Sequence, residues 1–155
     1  MKPIANIFKS RLHKYIMTDY KGLVFPLYSE IIKRAVEENR DVFTKFSRQK
    51  AEPGMELYLY ASGEEGERKI IAKADIAASK NAKPSEVRDE YGNRLMQTEE
   101  EFDDYVRGRG SKEMLVLELD NLELLDEPVT PPGNMTVAGL YLNEERYSEL
   151  KTNLD

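Results

Sequence analysis

The sequence predicts one α+β domain, a small curled β-barrel of mixed strands with helices packed against its outside. The length of 155 residues is typical of a single compact domain, and 40% hydrophobic with 34% charged residues is typical of a folded one. Strand and helix patterns alternate, but some neighbouring strands are joined by hairpins, which disfavours a doubly wound parallel sheet. One long strand pattern changes phase midway, as strands do where a sheet bends.

Residues 1–19 differ from the rest of the chain, and we expect a basic N-terminal extension followed by a domain over residues 20–155. Apolar side chains recur in the extension at helical spacing, with lysine and arginine between them. It has no uninterrupted apolar run, so we expect no secretory signal, and no segment has the ~20 apolar residues that span a bilayer. We therefore expect a cytoplasmic protein that does not enter membranes.

The first half of the chain predicts four strands and one helix. The strand patterns are bounded by glycine and proline and lie at residues 21–27, 42–46, 55–60 and 69–76. Ser29 is expected to cap a helix over residues 30–39. A Gly-rich hairpin loop at residues 62–66 is expected to join the third strand to the fourth.

The second half predicts a helical insertion and a bent strand. Pro84 begins one short helix, and Thr98 with Glu101 forms a capping box for a second helix. A strand pattern over residues 114–125 shifts its apolar phase near Asp120, which predicts a bulge there. The remaining elements are a strand over residues 136–142 and a last helix capped by Asn143.

The composition excludes several kinds of chemistry. The absence of cysteine removes disulfides, thiol nucleophiles and zinc–thiolate sites. The single histidine, His13, disfavours His-based triads and imidazole-rich metal sites. Gly-rich phosphate loops, GxSxG and HExxH are also missing. We therefore expect neither a metal nor a cofactor.

Charge is divided unevenly along the chain, whose net charge is −6. Residues 1–50 carry 11 Lys and Arg against 5 Asp and Glu, whereas residues 51–155 carry 12 against 24. Such asymmetry either gives an acidic protein one cationic face for a phosphate-bearing partner or disappears into a mixed surface on folding. Both interpretations stay open at this point.

The segment that follows the second predicted strand combines cations, hydroxyls and an aromatic ring. It supplies Thr44, Lys45, Phe46, Arg48 and Lys50. The third strand adds Tyr58, Tyr60 and Ser62 on one face. Rings stack on bases and cations neutralise phosphates, so the set suits a nucleotide. The alternative is ordinary structure, with half-buried tyrosines and a lysine that faces water.

Several segments of the sequence resemble the PUA-like superfamily in its ASCH/EVE-type branch, and they are most similar to an archaeal family of that kind. The residues that carry the resemblance are Gly22–Leu27 with Ile31 and Ile32, Val42–Phe46, Pro53–Gly63, Ile70–Ile76 and Met135–Leu142. The resemblance implies a β-barrel with flanking helices and a cleft between them. It also implies RNA or modified bases as ligands, or hydrolysis of acylated cytidine or RNA in a few members.

The resemblance carries over to this chain residue by residue. Lys45 matches the lysine of the ASCH signature and Arg48 a nearby arginine, while Phe43 replaces the glycine that usually precedes the lysine. Asp75 stands where hydrolase-like members use an acidic residue. These departures favour a binding module over an enzyme.

Three functions follow, in order of preference. The first is an RNA- or modified-nucleotide-binding module, whose candidate contacts are Lys45, Phe46, Arg48, Lys50, Tyr60, Ser62 and Thr136. The second is an amidohydrolase on an acylated nucleoside, with Thr44, Lys45 and Asp75 as catalytic candidates. The third is a protein-interaction domain without catalytic activity. The oligomeric state stays open.

Overall fold

Residues 20–154, which the computed structural model describes, form six strands and four α-helices. In chain order these are β1 Gly22–Tyr28, α1 Ser29–Glu37, β2 Val42–Lys45, β3 Glu56–Ser62, β4 Ile70–Ala82, α2 Pro84–Tyr91, α3 Glu99–Val106, β5 Met114–Val129, β6 Leu140–Leu142 and α4 Glu144–Leu154. The predicted N-terminal extension at residues 1–19 lies outside the described residues. None of the described helices is long and apolar enough to cross a bilayer.

The strands form one mixed, curled sheet in the order β2-β5-β4-β3-β1-β6. β1 and β3 are parallel, and every other pair is antiparallel. Phe25 of β1 and Phe43 of β2 stack with ring centres 5.3 Å apart, although three strands separate β1 from β2 in the sheet. The sheet therefore curls into a half-barrel, which confirms the predicted α+β barrel with flanking helices.

The predicted bend lies in β5, where this strand pairs with β4. The pairing register shifts between Asp75, which faces Asp120, and Lys73, which faces Glu123. Asn121 adopts a left-handed conformation with φ of 57°, the geometry of a bulged residue. The phase change in the sequence thus predicted the place where the sheet curls.

Three buried clusters hold the elements together. The largest lies between the sheet and α1, whose Ile31 and Ile32 are buried in it. A second packs α2 and α3 against the start of β5, and a third packs α4 against the sheet through Leu150. The helices that flank the cleft are therefore fixed to the barrel by apolar contacts.

Three of the four predicted helix starts are confirmed, and the first of these is α2, which begins at Pro84. Thr98 and Glu101 form the predicted capping box of α3, and Asn143 Oδ1 accepts a hydrogen bond from the backbone N–H of Arg146 at 2.8 Å. Ser29 does not cap α1, because its hydroxyl donates instead to Glu67 of the hairpin loop at 3.1 Å.

The last strand is shorter than predicted. β6 contains only Leu140–Leu142, and the preceding residues form a loop that includes a turn from Thr136 to Gly139, closed by a 3.0 Å backbone hydrogen bond. Gly139 has φ of 89°, which an extended strand does not accommodate.

Candidate ligand-binding cleft

A cleft of about 870 Å³ lies where the parallel strands β1 and β3 end. Tyr28 and Ser62, which are register partners at these ends, both line it. The walls are completed by β2, the start of α1, the β3–β4 hairpin, α3 with the segment before it, and the loop before β6. Because polar side chains at strand ends converge at one edge of a sheet, this edge collects groups from several distant segments.

Lys45 is the cation set deepest among the predicted contacts. It ends β2, lines the cleft and places its Nζ 5.8 Å from the centre of the Phe25 ring. Burial lowers the pKa of Lys45, and no carboxylate contributes to the shift. A partly desolvated ammonium group of this kind binds an anion favourably, and it loses its proton more easily than an exposed one.

Hydroxyls and aromatic rings surround Lys45. Four candidates from the sequence line the cleft, namely Thr44 of the catalytic alternative and Tyr60, Ser62 and Thr136 of the binding alternative. Tyr28, which sequence reasoning missed, lies at the rim with 58% of its surface exposed. The structure therefore brings together rings that can stack on a base and hydroxyls that can bind its edge.

Tyr58 does not share the environment of Tyr60. It is completely buried, and its hydroxyl donates a 2.6 Å hydrogen bond to Glu56. Burial, followed by this hydrogen bond, raises the pKa of Tyr58. Tyr147 of α4 donates to the same carboxylate at 3.2 Å. Tyr58 therefore helps to attach α4 and does not line the cleft.

The charge of the cleft is mixed. Lys45 is joined there by Arg68 of the β3–β4 hairpin, which has positive φ of 56° and was not predicted. Three acids line the cleft: Glu101 is paired with Arg34 and Asp104 with Arg107, whereas Glu30 has no ion pair among the described residues. The cleft thus offers two cations beside one unpaired carboxylate, and not the long cationic surface of a protein that coats nucleic acid.

Gln97 lines the cleft from the segment before α3. Its side-chain oxygen is buried and has no hydrogen-bond partner among the described residues. Arg34 stabilises this segment, because its Nη2 donates to the backbone oxygen of Met96 at 3.1 Å and its guanidinium pairs with Glu101. Nothing in the sequence pattern marks Gln97, since it lies between two helical elements.

Phe46 lies outside the cleft lining. Its ring is covered by Tyr105 at 5.3 Å and by the Arg109 guanidinium at 4.2 Å, measured to ring centres. Its backbone N–H donates to Tyr105 Oη at 2.9 Å. Phe46 therefore supports Tyr105, which does line the cleft.

The other predicted contacts are also placed elsewhere. Arg48 and Lys50 are exposed on the loop after β2, where Tyr141 Oη accepts from the backbone of Lys50 at 2.6 Å. Asp75 is exposed on β4 and accepts from Asn121 at 2.8 Å. The structure does not bring Asp75 into the cleft with Lys45, and residues 20–154 contain no metal-binding cluster of His, Cys, Asp and Glu.

The curled mixed sheet with outer helices is the fold of ASCH domains, a PUA-like fold. The particular family is shown by sequence. Residues 20–144 match the family described as "Domain of unknown function (DUF365)", and the chain belongs to that family. No curated protein matches the sequence.

Solved structures show the same fold. ASCH from Zymomonas mobilis is 17% identical, with a TM-score of 0.71 over 85% of this chain and 94% of that one. A mutant of that protein is 18% identical, with a TM-score of 0.72 over 86% and 96%. The N-terminal domain of Staphylothermus marinus McrB is 11% identical, with a TM-score of 0.53 over 86% and 94%. Identities this low establish the fold alone.

Proposed function

We propose that this protein is an RNA- or modified-nucleotide-binding module that takes one unpaired nucleotide into the cleft. The observation that carries the proposal is the convergence of Lys45, Tyr60, Ser62 and Thr136 on one cleft, from three separate segments of the chain. Rings supply stacking, hydroxyls supply hydrogen bonds to a base edge, and Lys45 supplies a charge for phosphate.

The charge balance sets the size of the ligand. Because Lys45 and Arg68 are the cations that line the cleft, it can neutralise about one or two phosphates. Arg48 and Lys50 lie on the loop after β2 and are available to the flanking backbone of a longer strand. A single nucleotide, free or displaced from an RNA strand, therefore fits better than a duplex.

Binding of labelled RNA tests this function. Fluorescence anisotropy is measured with short single-stranded and double-stranded RNAs, at low and at moderate salt. We expect saturable binding of single strands whose logarithmic salt slope is about −0.7 to −1.4, in keeping with one or two phosphate contacts. No binding of RNA or mononucleotides at low salt would overturn the proposal.

Two lysine variants make the measurement specific to the cleft. Lys45→Ala is expected to weaken binding about tenfold, the effect of one partly buried charge contact. Lys21→Ala is the matched control, since Lys21 is exposed and precedes the opposite end of β1. Equal losses in both variants would mean that RNA binds the surface and not the cleft.

Hydrolysis of an acylated nucleoside is the second candidate, favoured by the lowered pKa of Lys45 beside Thr44. A neutral Lys45 would take a proton from water or from Thr44, and the oxygen would attack the amide carbonyl. The C–N bond then breaks and the amine takes the proton and leaves as the nucleoside. Attack by water yields the acid directly, whereas attack by Thr44 yields an acyl ester, which one water molecule then hydrolyses to the acid and the free hydroxyl. Release of acetate from acetylated cytidine, lost in Lys45→Ala, would identify this activity.

Two further proposals rest on the sequence resemblance and the composition alone. We propose that this chain has archaeal relatives and that the protein acts in the cytoplasm. A role as a protein-interaction domain becomes the favoured function if neither RNA nor acylated nucleosides are recognised, and capture of one specific protein after nuclease treatment would support it.

A further inference from the structure

Gln97 stands out among the residues that line the cleft, because its side-chain oxygen is buried without a hydrogen-bond partner in the described part of the chain. We propose that Gln97 recognises the pairing edge of the bound base: its amide oxygen accepts a hydrogen bond from an N–H group there, so the cleft distinguishes bases with a free N–H on this edge from methylated ones. The inference rests on the proposed nucleotide-binding function and adds the residue that reads the base.

The backbone on both sides of Gln97 is held in place. The N–H of Met96 donates to the backbone oxygen of Val42 at 3.0 Å, and the oxygen of Met96 accepts from Arg34 at 3.1 Å. On the other side, the N–H of Thr98 donates to Glu101 at 2.8 Å. The Gln97 side chain is therefore presented from a fixed backbone, as residues that discriminate between ligands require.

The amide oxygen of Gln97 does not stabilise the free protein. A buried acceptor without a partner has lost its hydrogen bonds to water and received none in exchange. An unbranched apolar side chain, such as methionine, would fill similar space without that loss. Because this oxygen is closed to solvent in the free protein, the Gln97 side chain turns it toward the cleft when a ligand binds. A ligand that donates a hydrogen bond then provides the partner that residues 20–154 do not supply, which accounts for a glutamine at this position.

The acceptor also defines a ligand class. Every common base offers at least one N–H on its pairing edge, either an amino group or a ring imino group. Methylation of all N–H groups on that edge removes the donor and leaves the Gln97 oxygen unpaired. Sites built on a buried polar partner reject such analogues strongly, because the unpaired group stays desolvated. The cleft should therefore prefer bases with a free N–H on this edge.

The test uses the full chain and three proteins: wild type, Gln97→Met and Gln49→Met. Gln49 is the matched control, because its side-chain oxygen is also buried without a partner among the described residues but does not line the cleft. Calorimetry measures the affinity of each of the four nucleoside monophosphates and of counterparts with every N–H on the pairing edge methylated. Thermal unfolding is followed in parallel.

For Gln97→Met, we expect an unfolding temperature at or above that of wild type, together with affinity about tenfold lower for the preferred nucleotide. Discrimination against the methylated counterpart should also disappear in Gln97→Met and persist in Gln49→Met. The comparison of free and methylated nucleotides on wild type tests the same contact without any mutation.

Two negative results have different meanings. In the first, wild type binds nucleotides and Lys45→Ala weakens that binding, but the methylated counterparts bind equally well and Gln97→Met leaves the affinities unchanged. This result refutes the role of Gln97, and the proposed function stands. If wild type binds neither mononucleotides nor short RNAs, the proposed function fails and the inference fails with it.

Discussion

The ammonium group of Lys45 lies 5.8 Å from the centre of the Phe25 ring, so a charge on β2 faces an aromatic ring on β1 where the sheet curls. Phe25 in turn stacks on Phe43, two residues before Lys45, at 5.3 Å. The same contact that closes the half-barrel therefore removes water from the one predicted cation deep in the cleft. Closure of the fold and the chemistry of Lys45 are physically linked.

The lowered pKa of Lys45 predicts how stability depends on pH. Burial lowers the pKa below the ordinary 10.5, so between the two values the unfolded chain holds a proton that the folded one has lost. The free energy of unfolding therefore rises with pH across this window, relative to a variant without the group. Chemical denaturation of wild type and Lys45→Met at several alkaline pH values measures the difference.

The exposed Lys21 provides the control for that experiment. The difference between wild type and Lys21→Met should stay constant over the same pH range. A difference between wild type and Lys45→Met that is flat, or that moves against wild type as pH rises, would show that Lys45 is not desolvated in the folded protein.

Two tyrosines of β3 are expected to have separate roles. Tyr58→Phe removes the 2.6 Å hydrogen bond to Glu56 and should lower the free energy of unfolding by about 1–2 kcal/mol, with unchanged RNA affinity. Tyr60→Leu keeps a bulky apolar side chain but removes a ring from the cleft, and should weaken RNA binding by about 1–3 kcal/mol. Denaturant titration and anisotropy distinguish them, and a reversed pattern would contradict this assignment.

The pairing of Glu101 with Arg34 predicts a loss of stability at low pH. Burial by itself raises the pKa of Glu101, but hydrogen bonds from Arg34 and Thr98 outweigh burial, and the net pKa is lowered below the ordinary 4.5. This stabilisation is present above 4.5 and is lost as pH falls through the lowered pKa. Glu101→Gln should therefore cost about 1 kcal/mol at neutral pH and less in acid.

Glu100→Gln is the matched variant, because Glu100 is exposed in the same first turn of α3. It reports the interaction of a carboxylate with the helix dipole without the Arg34 contact. Urea unfolding of both variants across the acid range makes the comparison. Equal losses would show that Arg34 contributes nothing beyond that dipole effect.

Local signals in the sequence were sufficient for much of the fold. Alternation predicted β3 and its hairpin, the capping box predicted the start of α3, and the phase change predicted the bend at Asn121. Each of these depends on residues that are near neighbours along the chain. The predicted strand before α4 is too long, because the apolar residues before Leu140 suggest a strand while the turn at Gly139 prevents one.

The composition of the cleft was only partly accessible to sequence reasoning. Lys45 and Tyr60 lie on strands, where a repeating pattern places the side chain, and both line the cleft. Gln97 and Arg68 lie in connecting segments without periodicity, so no pattern marks them. Phe46 is covered by Arg109, a contact that depends on how α3 packs and not on local sequence. Tertiary packing thus decided which candidates line the cleft.

Gly139 is expected to control the loop that carries Thr136 into the cleft. It adopts φ of 89°, and an added Cβ would lie 2.6 Å from the Phe25 ring and 2.6 Å from the backbone oxygen of Val24. Gly54 has a similar φ of 95° with nothing within 4 Å of such an atom. Alanine substitutions at the two glycines therefore distinguish the cost of a left-handed backbone, which both share, from the cost of steric crowding, which only Gly139 has.

Gly54→Ala should cost about 1–2 kcal/mol in unfolding free energy, because only the left-handed backbone is penalised. Gly139→Ala should cost about 1–3 kcal/mol more, since Phe25 or the turn must move to admit the methyl group. That movement displaces Thr136, so RNA affinity should fall in Gly139→Ala and stay unchanged in Gly54→Ala. Denaturation with anisotropy measures both effects, and equal stability losses with equal affinities would show that the loop adapts without altering the cleft.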